Sequence, residues 1–167
     1  MDTVRDLVET VLIAALIALV IRGFIFEPFL VDGPSMEPTL FTGEWLFVSK
    51  IAYRFGEVKR GDVIVFRYPL NPSKDYVKRC VAVAGDTVEL RLGRLYVNGQ
   101  LVEESQIRYP GLYNMKAVTV PEGCVFVLGD HRTNSEDSRY FGPINVRDIK
   151  GKAEFILWPL KSVRRVK

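Results

Sequence analysis

The stretch Leu95-Tyr96-Val97-Asn98-Gly99-Gln100-Leu101-Val102 places Asn98-Gly99 between two short apolar runs. A two-residue hairpin turn needs positive φ at both central positions, and Asn and Gly both tolerate it. Directly before it, Leu92-Gly93-Arg94-Leu95 predicts another tight reversal. The chain is therefore expected to fold back on itself twice between residues 92 and 102.

Similar extended runs continue on both sides of this hairpin. They are rich in β-branched and aromatic residues and are separated by Gly, Pro, Asn or Asp, which is typical of strands joined by turns. The predicted strands are Glu44–Lys50, Asp62–Tyr68, Tyr76–Ala84, Thr87–Leu92, Leu95–Val97, Ala117–Val120 and Val125–Leu128, with Glu154–Pro159 as a closing strand. We expect a mainly β fold class, with curled antiparallel β-sheets in one compact domain.

The length and charge of the chain indicate how many domains it forms and which partners it can bind. Its 167 residues suffice for one domain with a core. The 23 basic and 20 acidic residues nearly balance, and no basic helix or arginine-aromatic pattern is present, so we expect no nucleic-acid partner. The basic C-terminal residues Lys161, Arg164, Arg165 and Lys167 are interpreted as a solvated end or a contact with anionic lipid.

An apolar segment precedes the β-rich part. Leu7 to Phe26 reaches the roughly 20 residues that a bilayer core requires, provided that Glu9 and Arg22 lie at opposite interfaces. A cleavable signal peptide would show a basic start and a small-x-small site, and neither is found. We therefore predict an uncleaved membrane anchor within residues 1–26 and a β-rich domain over residues 27–167. The charges alone do not indicate its orientation.

Ser35 lies in a tight loop just beyond the predicted anchor. A serine hydroxyl becomes a good nucleophile when a base takes its proton. One candidate base is His131, the single histidine of the sequence, with the adjacent Asp130. The other is Lys78, which alternation places on one strand face with Tyr76 and other apolar or small residues. Burial would lower the pKa of such a lysine, although most lysines in strands are solvated.

Four motifs together resemble the four sequence boxes of type I signal peptidases. In order, they are Gly33-Pro34-Ser35-Met36-Glu37-Pro38-Thr39-Leu40, Arg60-Gly61-Asp62-Val63-Ile64-Val65-Phe66, Tyr76-Val77-Lys78-Arg79 with Gly85-Asp86, and Gly129-Asp130-His131-Arg132-Thr133-Asn134-Ser135-Glu136-Asp137-Ser138-Arg139. The resemblance is specific because all four occur in the family's order behind an apolar segment. The glycine at position 33 resembles that of Gram-positive members, which tend to carry a single anchor and a compact catalytic domain.

The resemblance implies a membrane-bound serine endopeptidase that removes signal peptides from exported preproteins after a small-x-small motif. By matching positions, Ser35 would be the acylated nucleophile and Lys78 the general base. Ser135 would hydrogen-bond the base lysine, and Asp137 and Arg139 would form an ion pair that holds the loop. The family's location would place the catalytic domain outside the cytoplasm, on the plasma membrane and near the secretion translocase.

Substrate binding is expected to follow β-augmentation, in which an extended preprotein segment pairs with exposed strand edges. By resemblance, these edges are residues 29–32 and 75–78. Shallow apolar pockets beside the nucleophile would admit alanine-sized side chains. The residues expected to shape them are Phe29, Val31, Met36, Leu40, Tyr76 and Val77, all of which would also suit an ordinary core.

Two positions depart from the family pattern. His131 stands where the family usually has asparagine. We expect His131 to make a local hydrogen bond and not to serve as the base. Gly33 stands where some members carry a serine whose hydroxyl completes the oxyanion hole. Because glycine has no side-chain donor, the Ser35 N–H and another backbone group or water would form the hole.

The remaining chemistry-bearing residues suggest no cofactor. Cys80 and Cys124 could form one disulfide, or Cys80 could be a small core residue beside Lys78, the reading we favour. No cluster with metal-ligand spacing and no phosphate-binding glycine loop occurs in the sequence. Two competing functions are a membrane-anchored β-domain that binds exported chains without cutting them and a self-cleaving repressor-type peptidase. The latter is disfavoured by the apolar anchor and the lack of a helical DNA-binding domain.

Overall fold

The computed structural model describes residues 2–167 and begins with a long apolar helix. Helix α1 spans Asp2–Val20 and continues into a π-helical turn, Ile21–Ile25. The run Thr3–Ile25 comprises 23 residues with a mean hydropathy of 2.3, and none of its most apolar window is buried against the protein. Its length and composition are those of a helix that can cross a bilayer.

The rest of the chain is built from twelve strands joined by short loops and turns. The strands are β1 Phe26–Leu30, β2 Trp45–Ser49, β3 Val63–Arg67, β4 Asp75–Val83, β5 Thr87–Arg91, β6 Arg94–Val97, β7 Gln100–Leu101, β8 Met115–Thr119, β9 Cys124–Leu128, β10 Ile144–Asn145, β11 Ile149–Trp158 and β12 Arg164–Arg165. A short helix, α2, spans Ser138–Phe141. Short 3₁₀ turns lie at Ile51–Tyr53, Val146–Asp148 and Leu160–Ser162.

Two antiparallel sheets form the domain. The larger sheet has the order β1-β2-β11-β3-β4-β9-β10, with β12 added to β11, and the smaller has the order β7-β6-β5-β8. Strand β4 lies in the larger sheet between β3 and β9. Its first part, Asp75–Arg79, pairs with β3, while its pairing with β9 begins only at Arg79 opposite Leu128. One edge of β4 is therefore open over residues 75–78, and β1 presents another open edge.

Alternation along the large sheet sends side chains into separate core clusters. Val63, Val65 and Val77 pack on one face with the buried residues of the loop after β1. Ile64 and Phe66 pack on the opposite face with partners from β9 and β10. A third cluster joins the smaller sheet to the far end of β4 and to β9. This arrangement holds the first half of β4 firmly while leaving its edge accessible.

The mainly β fold and the predicted strands are confirmed, with small shifts in their bounds. The two predicted turns form as expected, with positive φ at Leu92, Gly93, Asn98 and Gly99. The closing strand is longer than predicted, because β11 begins at Ile149 and pairs with both β2 and β3. Strand β1 was not among the strands predicted from the pattern, and of the edge expected at residues 29–32 only Phe29 and Leu30 lie in it. The short strands β10 and β12 were not predicted either, since two-residue strands leave almost no periodic signal.

Candidate active site

Ser35 lies in the loop that connects β1 to β2. The base of this loop is closed by two backbone hydrogen bonds of 2.9 Å, from Val31 N–H to the Glu44 carbonyl and from Gly43 N–H to the Val31 carbonyl. Within the loop, Met36 and Leu40 are fully buried. Gly33 has a φ of +98°, a conformation that favours glycine, and it turns the chain just before the serine. The loop thus fixes the position of Ser35 through its buried neighbours.

Lys78 reaches Ser35 from β4. Its Nζ donates a hydrogen bond of 2.6 Å to the Ser35 Oγ, across 43 residues of sequence. The lysine is 4 % exposed, and this burial lowers its pKa to about 8 despite the opposing effect of the nearby carboxylates Asp137 and Glu136. The Tyr76 ring lies 5.1 Å from the ammonium nitrogen. A serine hydroxyl and an amine with a lowered pKa are therefore in direct contact at the end of a buried side chain.

The loop that follows β9 packs against the loop of Ser35. Asp137 is fully buried and forms two hydrogen bonds of 2.8 Å with the Arg139 guanidinium. It also accepts a 3.0 Å bond from the Gly129 N–H. A Cβ on Gly129 would lie 2.5 Å from the Ser35 carbonyl oxygen and closer still to the Ser135 hydroxyl, so only glycine allows this approach. The predicted ion pair of Asp137 and Arg139 is thus present, and Gly129, which it binds, lies directly against Ser35.

The Ser135 hydroxyl has a different partner from the one that the resemblance implied. It donates a 2.8 Å hydrogen bond to Asp137 Oδ2. Among residues 2–167, Ser135 makes no hydrogen bond to Lys78. The carboxylate is the stronger acceptor, and it lies two residues away on the same turn. Ser135 therefore belongs to the hydrogen-bond network of Asp137, beside the contact between Ser35 and Lys78.

Arg79 and Asp130 form a buried ion pair that was not predicted from the sequence. The guanidinium binds both carboxylate oxygens, at 2.8 and 2.6 Å, and both side chains are almost completely buried. Asp130 also accepts a 2.5 Å bond from the Thr39 hydroxyl in the serine loop. Arg79 follows Lys78 directly, so the ion pair connects the loop of Ser35 to the strand of Lys78. The alternation of residues along β4 could have indicated that Arg79 has a partner of its own, because it places Arg79 on the opposite face from Tyr76 and Lys78.

The His131 side chain makes no hydrogen bond to Ser35 or Lys78 among the described residues. Its backbone N–H donates a 3.0 Å hydrogen bond to the Ser35 carbonyl, while its ring packs against Tyr109 with centroids 4.4 Å apart. Its Nδ1 is buried without a hydrogen-bond partner among the described residues. The alternative arrangement of Ser35, His131 and Asp130 is therefore absent, since Asp130 is engaged by Arg79 and the histidine acts through its backbone.

An open cavity of about 590 Å³ leads to Ser35 between the two exposed strand edges. Residues of β1 line one side and residues 74–78 line the other, with Asn134 and Glu136 at one wall. Among the predicted pocket residues, Phe29, Tyr76 and Val77 line this cavity. Val31, Met36 and Leu40 do not. These three residues lie in the hydrophobic core, because the loop of Ser35 folds inward onto the large sheet. They therefore do not line the pocket, contrary to the prediction.

Cys80 and Cys124 are both free. Cys80 is fully buried among Ile64, Phe66 and Val127, whereas Cys124 packs toward the core of the smaller sheet. The disulfide alternative is thus wrong, and the core-residue interpretation of Cys80 is the one observed. Burial raises the pKa of the Cys80 thiol to about 12, which leaves it unreactive near neutral pH. Over residues 2–167, no cluster of three or more His, Cys, Asp or Glu side chains could hold a metal ion.

Comparison with known proteins decides the family. The sequence profile of the family described as "Signal peptidase, peptidase S26" matches residues 4–158. The chain belongs to the signal peptidase family, peptidase S26. It is 39 % identical to a signal peptidase I of Bacillus caldolyticus, over 90 % of this chain and 89 % of that protein. It is likewise 39 % identical to a signal peptidase I of Bacillus licheniformis, over 98 % and 94 % of the two chains.

A relative from Synechocystis, described as a probable signal peptidase I-1, is 37 % identical over 93 % of this chain and 83 % of its own length. A crystal structure of a signal peptidase I from Enterococcus faecalis is 31 % identical, covers 57 % of this chain and 96 % of its own, and aligns with a TM-score of 0.49. Family membership makes this chain a serine peptidase of the signal peptidase I type, a hydrolase that acts on signal peptides.

Proposed function

We propose that this signal peptidase cuts exported preproteins after a small-x-small motif through an acyl-enzyme on Ser35, with Lys78 as the general base. The single observation that carries the proposal is the 2.6 Å contact between Lys78 Nζ and Ser35 Oγ, at the end of a cavity bounded by open strand edges. Ser135, Asp137 and Arg139 act as positioning residues that hold the wall behind the dyad.

The chemistry follows from the protonation of Lys78. With its pKa near 8, about a tenth of the lysine is a free amine at pH 7. The free amine takes the Ser35 hydroxyl proton as Oγ attacks the scissile carbonyl carbon. The resulting ammonium then gives this proton to the leaving amine nitrogen. Water, deprotonated by the same amine, attacks the ester, and the proton returns to Ser35 as the signal peptide leaves.

Negative charge develops on the carbonyl oxygen during both attacks. The Ser35 N–H donates to no protein group among the described residues, so it is free to bind this oxygen. Gly33 lines the cavity and offers no side-chain donor. We infer that backbone N–H groups of this turn, assisted by water, stabilise the oxyanion.

Substrate binding uses the two free strand edges. An extended preprotein segment fits between β1 and residues 75–78, with hydrogen bonds to both. Phe29 and Val77 then form the wall that limits side-chain size, because both pack against the core beneath the cavity. Larger side chains would have to displace packed residues, which favours alanine-sized groups.

The apolar helix anchors the enzyme in this proposal. Helix α1 spans the plasma membrane once, and the β-rich domain over residues 27–167 lies on the extracytoplasmic side. Preproteins reach it as their signal peptides leave the secretion translocase. The helix connects directly to β1, so the cavity is held close to the membrane surface where a signal peptide ends.

The test uses the full chain in detergent micelles or lipid vesicles, with a purified preprotein as substrate. N-terminal sequencing of the product should show a mature chain that begins directly after a small-x-small motif. The variant Ser35→Ala should release no product, whereas treatment with a metal chelator should leave the rate unchanged. Cleavage after large side chains, or cleavage by Ser35→Ala, would contradict the proposal.

A further inference from the structure

Glu136 is an acidic side chain fixed at the wall of the active-site cavity. It lines the cavity together with Ser35 and Lys78. Its two oxygens accept hydrogen bonds from the hydroxyls of Tyr68, at 2.5 Å, and Tyr76, at 2.7 Å. The two phenol rings stack with centroids 4.3 Å apart. A side chain that is usually mobile at a surface is thus held in one place beside the dyad.

The charge of Glu136 is not neutralised by its partners. The two phenol donors are uncharged, and they lower the pKa of the Glu136 carboxyl, which stays ionised at neutral pH. Lys74 and Lys78 lie near enough to favour its ionised form, but neither makes an ion pair with it among the described residues. Lys78 must moreover lose its charge to act as the base. The cavity therefore contains a fixed carboxylate that makes no ion pair among the described residues, although Lys74 lines the same cavity.

Strand alternation indicates which substrate position would meet this charge. Val77 and Phe29 pack toward one face of the large sheet, whereas Tyr76 packs against Phe66 toward the other. Side chains of an extended substrate also alternate between two faces. If the two small residues of the motif point toward Phe29 and Val77, the middle residue points toward Tyr76 and Glu136.

We propose that Glu136 is a specificity-determining residue that receives a lysine or arginine side chain at the middle position of the small-x-small motif. This inference rests on the proposed function, since it assumes an extended substrate bound between β1 and β4. The binding group on the enzyme is the carboxylate face left open by the two tyrosine hydroxyls. A cationic side chain there would gain an ion pair at the rim of the cavity.

The experiment compares three peptides that contain Ala-x-Ala before the scissile bond, with x as Lys, Met or Glu. For the unmodified full chain in micelles at low salt, kcat/KM should follow the order Lys, Met, Glu, with about 3- to 5-fold between Lys and Met. This preference should shrink in 1 M NaCl because salt screens exposed charges. Ratios between peptides are compared within each variant, which cancels differences in folding or active fraction.

Three variants complete the test. Glu136→Gln should reduce the differences in kcat/KM among the peptides to less than about 2-fold. Glu136→Lys should reverse the order of kcat/KM, so that the Glu peptide is cut fastest. Glu122→Gln is the matched control, since Glu122 is exposed in the turn before β9, away from the cavity, and it should keep the original order.

The outcomes separate this inference from the proposed function. Equal rates for the Lys and Met peptides, or a Lys preference that survives in Glu136→Gln, would overturn the role of Glu136. In those cases the Met peptide would still be cut by the enzyme and not by Ser35→Ala. Failure to cut the Met peptide at all would instead count against the proposed function itself.

Discussion

Replacing Lys78 with methionine should stabilise the folded protein at neutral pH while abolishing activity. Burial lowers the pKa of Lys78 from 10.5 to about 8, which corresponds to about 3 kcal/mol of unfavourable free energy for the charged form. Methionine has a similar length and carries no charge. Loss of the hydrogen bond to Ser35 offsets about 1 kcal/mol, which leaves a net stabilisation of about 2 kcal/mol at pH 7.

The pH dependence of this stabilisation distinguishes it from a simple packing gain. In the folded state the lysine binds its proton less tightly than in the unfolded chain. The cost is therefore fully present below pH 8, decreases between pH 8 and 10.5, and vanishes above that range. The Lys78→Met variant should lose its advantage over the same range.

The assay is thermal unfolding in detergent, followed by the fluorescence of Trp45 and Trp158. A gain of about 2 kcal/mol corresponds to an increase in Tm of roughly 4 to 8 °C at pH 7. Lys116→Met, at an exposed position of β8, is the matched control and should change Tm little. A lower Tm for Lys78→Met at pH 7, or a difference that does not change up to pH 10.5, would refute this reasoning.

Two further predictions concern the pH profile and the buried ion pair. The kcat/KM should fall as the pH drops through about 8, because the amine of Lys78 becomes protonated. Glu136→Gln should shift this fall in kcat/KM to lower pH, since it removes a carboxylate that favours the ammonium form. A fall in kcat/KM centred near pH 10.5 would contradict the burial of the amine. Asp130→Asn should lower the free energy of unfolding by about 3 to 5 kcal/mol, since it leaves Arg79 buried without its partner. Denaturant titration measures this loss of unfolding free energy. The control is Glu89→Gln, at an exposed ion pair, which should change the free energy of unfolding little. Equal effects of the two variants would exclude the structural role of Asp130.

Much of the fold could be predicted because its signals are local. The Asn98-Gly99 turn, the alternating strands and the apolar N-terminal segment each depend on residues that are neighbours in sequence. The short strands β10 and β12 escaped prediction because their pairing depends on contacts with β9 and β11, which lie outside any local pattern.

The candidate site was only partly predictable, for a related reason. Ser35 and Lys78 could be identified from motifs, but the contact between them depends on the loop after β1 folding onto β4. The same inward fold buries Val31, Met36 and Leu40, which composition alone could not distinguish from pocket residues. The pairing of Arg79 with Asp130 joins two motifs 51 residues apart and needed the tertiary structure to be seen.

In the proposed mechanism Lys78, and not His131, activates Ser35. The most direct test is the initial cleavage rate of one preprotein at pH 8 by the unmodified enzyme and by Ser35→Ala, Lys78→Ala and His131→Ala, with folding checked by Tm. The first two variants should lose at least about 10³-fold in kcat/KM, while His131→Ala should retain most of the rate. Substantial cleavage by Lys78→Ala, or its abolition in a folded His131→Ala protein, would contradict the dyad.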